Sequence, residues 1–398
     1  MKYVCKENQC TGCMACVEAC SQNAIKINDG IIAFNAVIDP EKCINCRVCE
    51  RVCQNNSESE FISPIAWYQG WAEHPEDRAA SSSGGFGSML AKRMIELNGV
   101  VCSCVFRNGE FRFEFIDRVE DLSFIKGSKY VKSNPERIYG QIKDYLNRGQ
   151  KVLFLGLPCQ VAAVKKYIGK KYDNLLYTVD LICHGTPSSK LLDTYLREKK
   201  IDIRKLKSIA FREKTVFRLY AENRMIVPKR TIDWYSYAFL QSLDYTENCY
   251  TCKFARTERV SDITIGDSWK SSVGKDEMQK GVSLALCQTE KGMKLLNESD
   301  VTILKVDLEK AIKSNHQLMH PSIAPVQRGT FFNELIKKKS FHRAVFRAYP
   351  KLYFRNQVKV ILANIAMANG VKSGKEESRL EKKTHFNRAS RKSHVKNY

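Results

Sequence analysis

The chain has 398 residues, 43% apolar and 27% charged, enough for two or three domains and typical of a folded globular protein. Apolar runs such as Val152-Leu153-Phe154-Leu155 stop within a few residues at Gly or Pro, far short of the roughly 18 that cross a bilayer. Lys and Arg number 65 against 43 Asp and Glu, a formal +22 that points to an anionic partner.

Met1-Lys2-Tyr3-Val4-Cys5 offers no apolar signal core, so a cytoplasmic protein is expected. Sixteen cysteines in a reducing compartment point to metal rather than disulfides. Cys10, Cys13, Cys16 and Cys20 form C-x2-C-x2-C-x3-C, and Cys43, Cys46, Cys49 and Cys53 repeat it 33 residues later. This is the duplicated pattern of a ferredoxin with two 4Fe-4S clusters. Three closely spaced cysteines wrap one cluster while the fourth reaches the other. The expected sets are therefore Cys10, Cys13, Cys16 and Cys53, and Cys43, Cys46, Cys49 and Cys20. Ser21 and Gln54 stand where proline usually follows the fourth cysteine, which removes no ligand. Structural zinc prefers two separated C-x2-C pairs, which these runs do not offer. Cys5 lies outside the register and is expected only to pack. Ala24–Ile27 and Ile31–Phe34 flank Asn28-Asp29-Gly30, a hairpin signal.

After the polar stretch 55–60, a strand is predicted over Ile65–Ala72 and a helix over Phe86–Leu97, ending at Asn98-Gly99. Val100–Phe106 and Glu110–Ile116 read as a hairpin turning at Asn108-Gly109. Pro135–Arg148 reads as a helix. Lys151–Gly156 is a buried strand running into a turn at Pro158-Cys159-Gln160, followed by a helix over Val161–Ile168. Leu175–Cys183 is the next strand and Ser188–Lys200 the next helix. Alternating strands and helices imply a parallel sheet here. A hairpin-like stretch (Lys207–Glu222), strands at Asp262–Ile265 and Val282–Cys287, and two or three helices complete the fold. The class expected is α+β or mixed α/β, a small ferredoxin-type domain followed by a larger domain with a partly parallel sheet.

Cys159 and Cys183 sit at or just beyond strand ends, where open α/β sheets gather ligands. Cys249 and Cys252 form a further C-x2-C. Together they suit one more four-thiolate cluster, with zinc or buried thiols as alternatives. Cys102, Cys104 and Cys287 lie within apolar strands and read as core. Ser81-Ser82-Ser83-Gly84-Gly85 at a helix start has the form of an anion site, or of a capped turn. Gly127-Ser128-Lys129-Tyr130 offers a cation and a ring.

The formal charge omits about −2 for each thiolate-bound cluster, and Lys372 to Lys396 holds nine Lys or Arg against Glu376, Glu377 and Glu381. A basic, disordered tail is therefore expected over 370–398. An acidic redox partner, an anionic coenzyme or an anionic membrane face fits the charge better than nucleic acid, for which no motif is present.

Ser82-Ser83-Gly84-Gly85, Gly127-Ser128-Lys129-Tyr130-Val131, Gly156-Leu157-Pro158-Cys159-Gln160, Cys183-His184-Gly185-Thr186-Pro187-Ser188, the Cys249/Cys252 pair and Asp262–Trp269 occur in an order that resembles the coenzyme F(420) hydrogenase/dehydrogenase beta-subunit family. The resemblance spans roughly Ile65 to Asn315, with a ferredoxin module fused in front. It implies a domain holding FAD and one 4Fe-4S cluster. Carried over, Cys159, Cys183, Cys249 and Cys252 become that cluster's ligands, and Ser82, Ser83, Gly84, Gly85, Ser128, Lys129 and Tyr130 the surroundings of the flavin. His184 lies in the matching motif, as a structural residue or a proton donor. The implied regions are a two-cluster ferredoxin-type domain over 1–60, an oxidoreductase domain over 61–369, and the tail.

Hydride carriers exchange electrons in pairs and iron–sulfur clusters exchange them singly, so a flavin beside a cluster converts between the two. The implied activity is a flavin and iron–sulfur oxidoreductase acting on a deazaflavin or another organic molecule and on a redox partner protein. A pure electron-transfer adaptor and a cluster-stabilised nucleic-acid binder are the competing classes.

Overall fold

The computed structural model describes residues 1–368 apart from Ser271 and Lys339, so the tail expected over 370–398 lies outside the described residues. The described residues divide into one compact unit of 1–227 and 232–350 and a second of 228–231 with the residues from 351 onward.

At the N-terminus β1 (Lys2–Tyr3), β2 (Ile25–Asp29) and β3 (Phe34–Ile38) form a small antiparallel sheet in the order β1-β3-β2. The hairpin turns later than the Asn-Asp-Gly signal suggests. The Asp29 carboxylate accepts the Ile31 N–H at 2.8 Å, so β2 runs through Asp29 and Gly30–Ala33 form the turn. Short helices α1 (Ala15–Glu18) and α2 (Val48–Val52) follow the two cysteine loops.

The main sheet has eight strands: β4 (Ala66–Ala72), β5 (Val100–Arg107), β6 (Glu110–Ile116), β7 (Val152–Gly156), β8 (Leu176–Leu181), and, beyond a separate sheet of β9 (Ile209–Glu213), β10 (Val216–Ala221) and β11 (Arg224–Met225), the strands β12 (Ile263–Asp267), β13 (Ser283–Cys287) and β14 (Val301–Lys305). Its order is β14-β4-β13-β12-β8-β7-β5-β6. The central pairs β5–β7, β7–β8 and β8–β12 are parallel and the outer ones antiparallel, so the sheet is partly parallel as expected. Alternation along β5 sends Val101 to one core and Cys102 to the other. The first core contains Met89, Leu90 and Met94 of α4 (Phe86–Glu96), which follows the short α3 (Pro75–Ala79). The second contains Ile142 and Leu146 of α5 (Tyr139–Asn147) and Val161 and Val164 of α6 (Pro158–Ile168). The β5–β6 turn has Asn108 at φ 54° and Gly109 at φ 80°, the left-handed pair that a two-residue hairpin requires.

Two helix starts differ from the sequence reading. The helix expected from Pro135 begins at Tyr139 because Glu18, far away in sequence, accepts the N–H groups of Tyr139 (3.2 Å) and Gly140 (2.6 Å). The expected turn at Pro158-Cys159-Gln160 is instead the first turn of α6. Pro158 occupies its first position, where no N–H is needed, and the Gln160 side chain accepts the Leu157 N–H at 2.9 Å.

Candidate functional site

The duplication in the cysteine spacing is also a duplication in backbone. Gly12 (φ 69°) and Asn45 (φ 57°) are both left-handed, as are Met14 (φ 64°) and Arg47 (φ 58°). The Gly12 N–H points at the Cys10 sulfur and the Asn45 N–H at the Cys43 sulfur, each at 3.4 Å. Such N–H groups aimed at sulfur tune a cluster's potential. Cys10, Cys13, Cys16 and Cys53 line one enclosed space, with Cys5 beside them. Cys20, Cys43 and Cys49 interact electrostatically as a second group, and Cys46 is exposed.

A cavity of about 290 Å³ lies where the ferredoxin-like segment meets the main sheet. Cys159, Cys183, Cys249 and Cys252 all line it. Cys159 is on the first turn of α6, just past β7, and Cys183 stands two residues past the neighbouring parallel strand β8. The Cys249–Cys252 loop is tied to the N-terminal segment. Thr251 donates to the Gln9 side chain at 2.9 Å, and Lys253 to the carbonyl oxygens of Gln54 (2.5 Å) and Ser57 (3.1 Å).

Cations surround this cavity. Lys6, Lys132, Lys253 and Arg259 line it, and none of the described lining residues carries a carboxylate. Arg259 is 1% exposed and is held by the fully buried Asp180 at 3.1 Å and by the Leu181 carbonyl oxygen at 2.8 Å. Lys132, 8% exposed, donates to the Thr11 carbonyl oxygen at 3.3 Å and lies 5.1 Å from the centre of the Phe34 ring. Burial and the neighbouring cysteines push the thiols of Cys183 and Cys252 up, to about 12 and about 11. Burial raises Cys159 too, against the opposing pull of Lys132. A cationic iron–sulfur core would bind these sulfurs as thiolates. The donor set therefore fits a 4Fe-4S cluster.

The expected flavin residues gather elsewhere, at the start of α4, and none lines this cavity. Ser82 accepts the Ser128 N–H at 2.7 Å, which joins the two loops. Several of the expected groups are already engaged by the protein. Ser83 donates to the Val282 carbonyl oxygen at 3.0 Å, and the Lys129 ammonium caps the carbonyl oxygens of Ile125, Lys126 and Gly127. Gly84 is small because a Cβ there would stand 2.3 Å from the Gly70 carbonyl oxygen. Packing, rather than approach to an anion, dictates this glycine. Open space lies beside Gly127, where an added Cβ would meet nothing within 4 Å.

The hairpin β9–β10 supplies what sequence reading missed. Arg212 donates to both carboxylate oxygens of Asp267 (2.7 and 2.9 Å), to the Ser82 carbonyl oxygen (2.7 Å) and to the Tyr130 hydroxyl (3.2 Å). Its Nε is buried without a partner among the described residues, a donor left over for a guest. Lys214 donates to the carbonyl oxygens of Arg78, Ser81 and Ser83, and burial and nearby Arg78 lower it to about 8. The leftover donor and the open flank at Gly127 fit a flavin in part. An isolated Arg and Lys in a hairpin carry no motif, so only their arrival at the serine loop identifies them.

Aromatic rings connect the two places. Tyr130 stacks on Phe239 with centroids 4.2 Å apart, Phe239 meets Tyr245 at 5.2 Å, and Tyr245 stacks with Tyr250 at 6.0 Å. Cys249 belongs to the same packed group. Close packing leaves Gly185 no room for a side chain, since its Cβ would stand 2.3 Å from the Tyr245 ring. His184 lines the cavity and pairs through Nδ1 with Gln317 at 2.7 Å.

Residues 149–309 match the family described as coenzyme F(420) hydrogenase/dehydrogenase, C terminus of the beta subunit. Residues 9–57 match the 4Fe-4S dicluster domain. Among solved structures, a chain of the xenon-derivatised F(420)-reducing NiFe hydrogenase complex from Methanosarcina barkeri aligns at 16% identity and a TM-score of 0.45, covering 68% of this chain and 99% of that one. No curated protein matches.

Proposed function

We propose that this chain, whose residues 149–309 belong to the family of the beta subunit, at its C terminus, of coenzyme F(420) hydrogenase/dehydrogenase and whose residues 9–57 form a 4Fe-4S dicluster domain, is an iron–sulfur flavoprotein that exchanges electron pairs with an organic molecule and single electrons with a redox partner. Its character as an iron–sulfur electron-transfer protein rests on those two matches. The proposal adds a third cluster and a flavin.

One observation carries it: four cysteines from three separated stretches of chain line one cavity among buried cations. Cys159, Cys183, Cys249 and Cys252 are the ligands in this reading. Lys132, Lys253 and Arg259 offset the negative charge of a thiolate-bound cluster, and the ion pair with Asp180 holds the Arg259 guanidinium in place. The loops around Ser82 and Ser128, with Tyr130 and Arg212, are the residues that hold the flavin. A bound flavin supplies exchange of electrons both singly and in pairs. The Tyr130–Phe239–Tyr245 rings fill the space between loops and cavity and keep water out of it.

The order of the cages also supports a relay. Thr11 and Asn55 line both the cavity and the Cys10 cage, so these two share a wall. Cys46, in the other set, is exposed. The sequence of sites is thus cavity, Cys10 set, Cys43 set, solvent, and a redox partner meets the last. The organic molecule is a deazaflavin or another hydride carrier.

Anaerobic purification followed by flavin and iron quantitation tests the reading. Releasable FAD and about 12 irons per chain are expected. A protein with the iron of two clusters and no flavin is an adaptor, and the proposal then fails.

A further inference from the structure

The helix Pro350–Ala368 carries an exposed apolar row. Val358 (57% exposed), Ile361 (57%), Leu362 (60%) and Ile365 (51%) recur at helical spacing, and Phe354 (60%) extends the row toward the helix start. At about 100° per residue they occupy one stripe roughly 100° wide. Large apolar side chains are not usually left in water as a contiguous row, so the row marks a contact face.

Charge says what the contact is. Arg355 and Lys359 run along one margin of the stripe and Lys351 stands near its start, while no Asp or Glu occurs from Pro350 to Lys375. The sequence beyond continues basic, with nine Lys or Arg from Lys372 to Lys396. An acidic protein groove with an apolar floor is the rival occupant, and it would leave anionic vesicles unbound. A second copy of this helix would set like charges side by side. An apolar stripe edged by Lys and Arg, followed by further basic residues, has the make-up of a helix lying in the plane of an anionic lipid surface. It is no span: none of the helices among the described residues is long and apolar enough to cross a membrane.

We infer that the helix Pro350–Ala368 is a peripheral anchor, its Val358–Ile365 row set into the headgroup region of an anionic phospholipid bilayer and its cations paired with lipid phosphates. The inference does not depend on the third cluster or the flavin.

The test is co-sedimentation of the full holoprotein with vesicles of phosphatidylcholine alone or mixed with phosphatidylglycerol. Binding to the anionic vesicles only, weakened by salt, is expected. Changing Ile361→Asp with Leu362→Asp should abolish it. Changing Lys351→Gln, Arg355→Gln and Lys359→Gln together should weaken it roughly 100-fold. These positions are exposed, so cluster absorbance should stay unchanged in both variants. The inference is overturned if wild type ignores anionic vesicles, if the Asp variant still binds, or if light scattering shows that the Asp variant dissociates a dimer.

Discussion

The Arg212 guanidinium grips the Asp267 carboxylate with two parallel bonds, Nη1 to Oδ2 at 2.7 Å and Nη2 to Oδ1 at 2.9 Å, while reaching the Ser82 carbonyl oxygen with the same Nη2. One buried cation thereby joins the β9–β10 hairpin, the end of β12 and the serine loop. Removing one partner of a buried pair costs about 3–5 kcal/mol, because the other charge is left alone. Asp267→Asn should therefore loosen the serine loop and lower the flavin-to-protein ratio after gel filtration several-fold, with iron content unchanged. Arg212→Lys should do the same, since an ammonium cannot make both bonds. Full flavin retention in both variants would detach this pair from the flavin site.

Cys249→Ala should remove roughly four of about twelve irons and leave the N-terminal clusters intact in their EPR spectra. Cys53→Ser should instead disturb the cluster of Cys10, Cys13 and Cys16, with which it shares an enclosed space. Unchanged iron after the first substitution would remove the third site.

Lys132 stands between the cavity and the Thr11 carbonyl of the Cys10 loop. A buried positive charge favours the reduced, more negative form of a nearby cluster. Lys132→Met should lower the midpoint potentials of two clusters, the cavity one and the Cys10 one, and spare the Cys43 cluster. Lys132→Arg should restore them. EPR-monitored titration reads all three, and a uniform shift or none would contradict the proposed order of sites.

Asp244 is fully buried, and neither carboxylate oxygen has a hydrogen-bond partner among the described residues. Burial pushes it up to about 8, against weaker opposing pulls from its own backbone N–H, which lies beyond good hydrogen-bond geometry, and from Arg328. The folded chain thus holds a proton that the unfolded chain releases near pH 4. Its contribution to stability is complete below about pH 4 and is lost as pH rises toward about 8, by up to about 1.4 kcal/mol per pH unit. In Asp244→Asn the side chain cannot ionise, so its Tm advantage over wild type should widen from pH 5 to pH 8. A gap that does not change with pH would show that the carboxyl is already ionised in the folded state.

Local chemistry was legible in the residues alone. Ligands a few positions apart wrap one cluster by themselves, so the spacing of Cys10 to Cys53 carried the iron–sulfur reading with no knowledge of the fold. The parallel strands were legible for a similar reason, because β7 and β8 are each followed by a helix. The turn after Asp29 and the start of α5 were not legible, because backbone N–H groups donating to the Asp29 and Glu18 carboxylates decide them, and Glu18 is far from α5 in sequence.

Only tertiary structure brought Cys159, Cys183, Cys249 and Cys252 to one cavity, put Lys132 beside Thr11 and delivered Arg212 to the serine loop. Hydrophobic periodicity says which face of a strand is buried, not which strand lies next to which. The order β13-β12-β8-β7 does that, and it is set by packing over the whole sheet. Residues that meet across such an order leave no spacing to read.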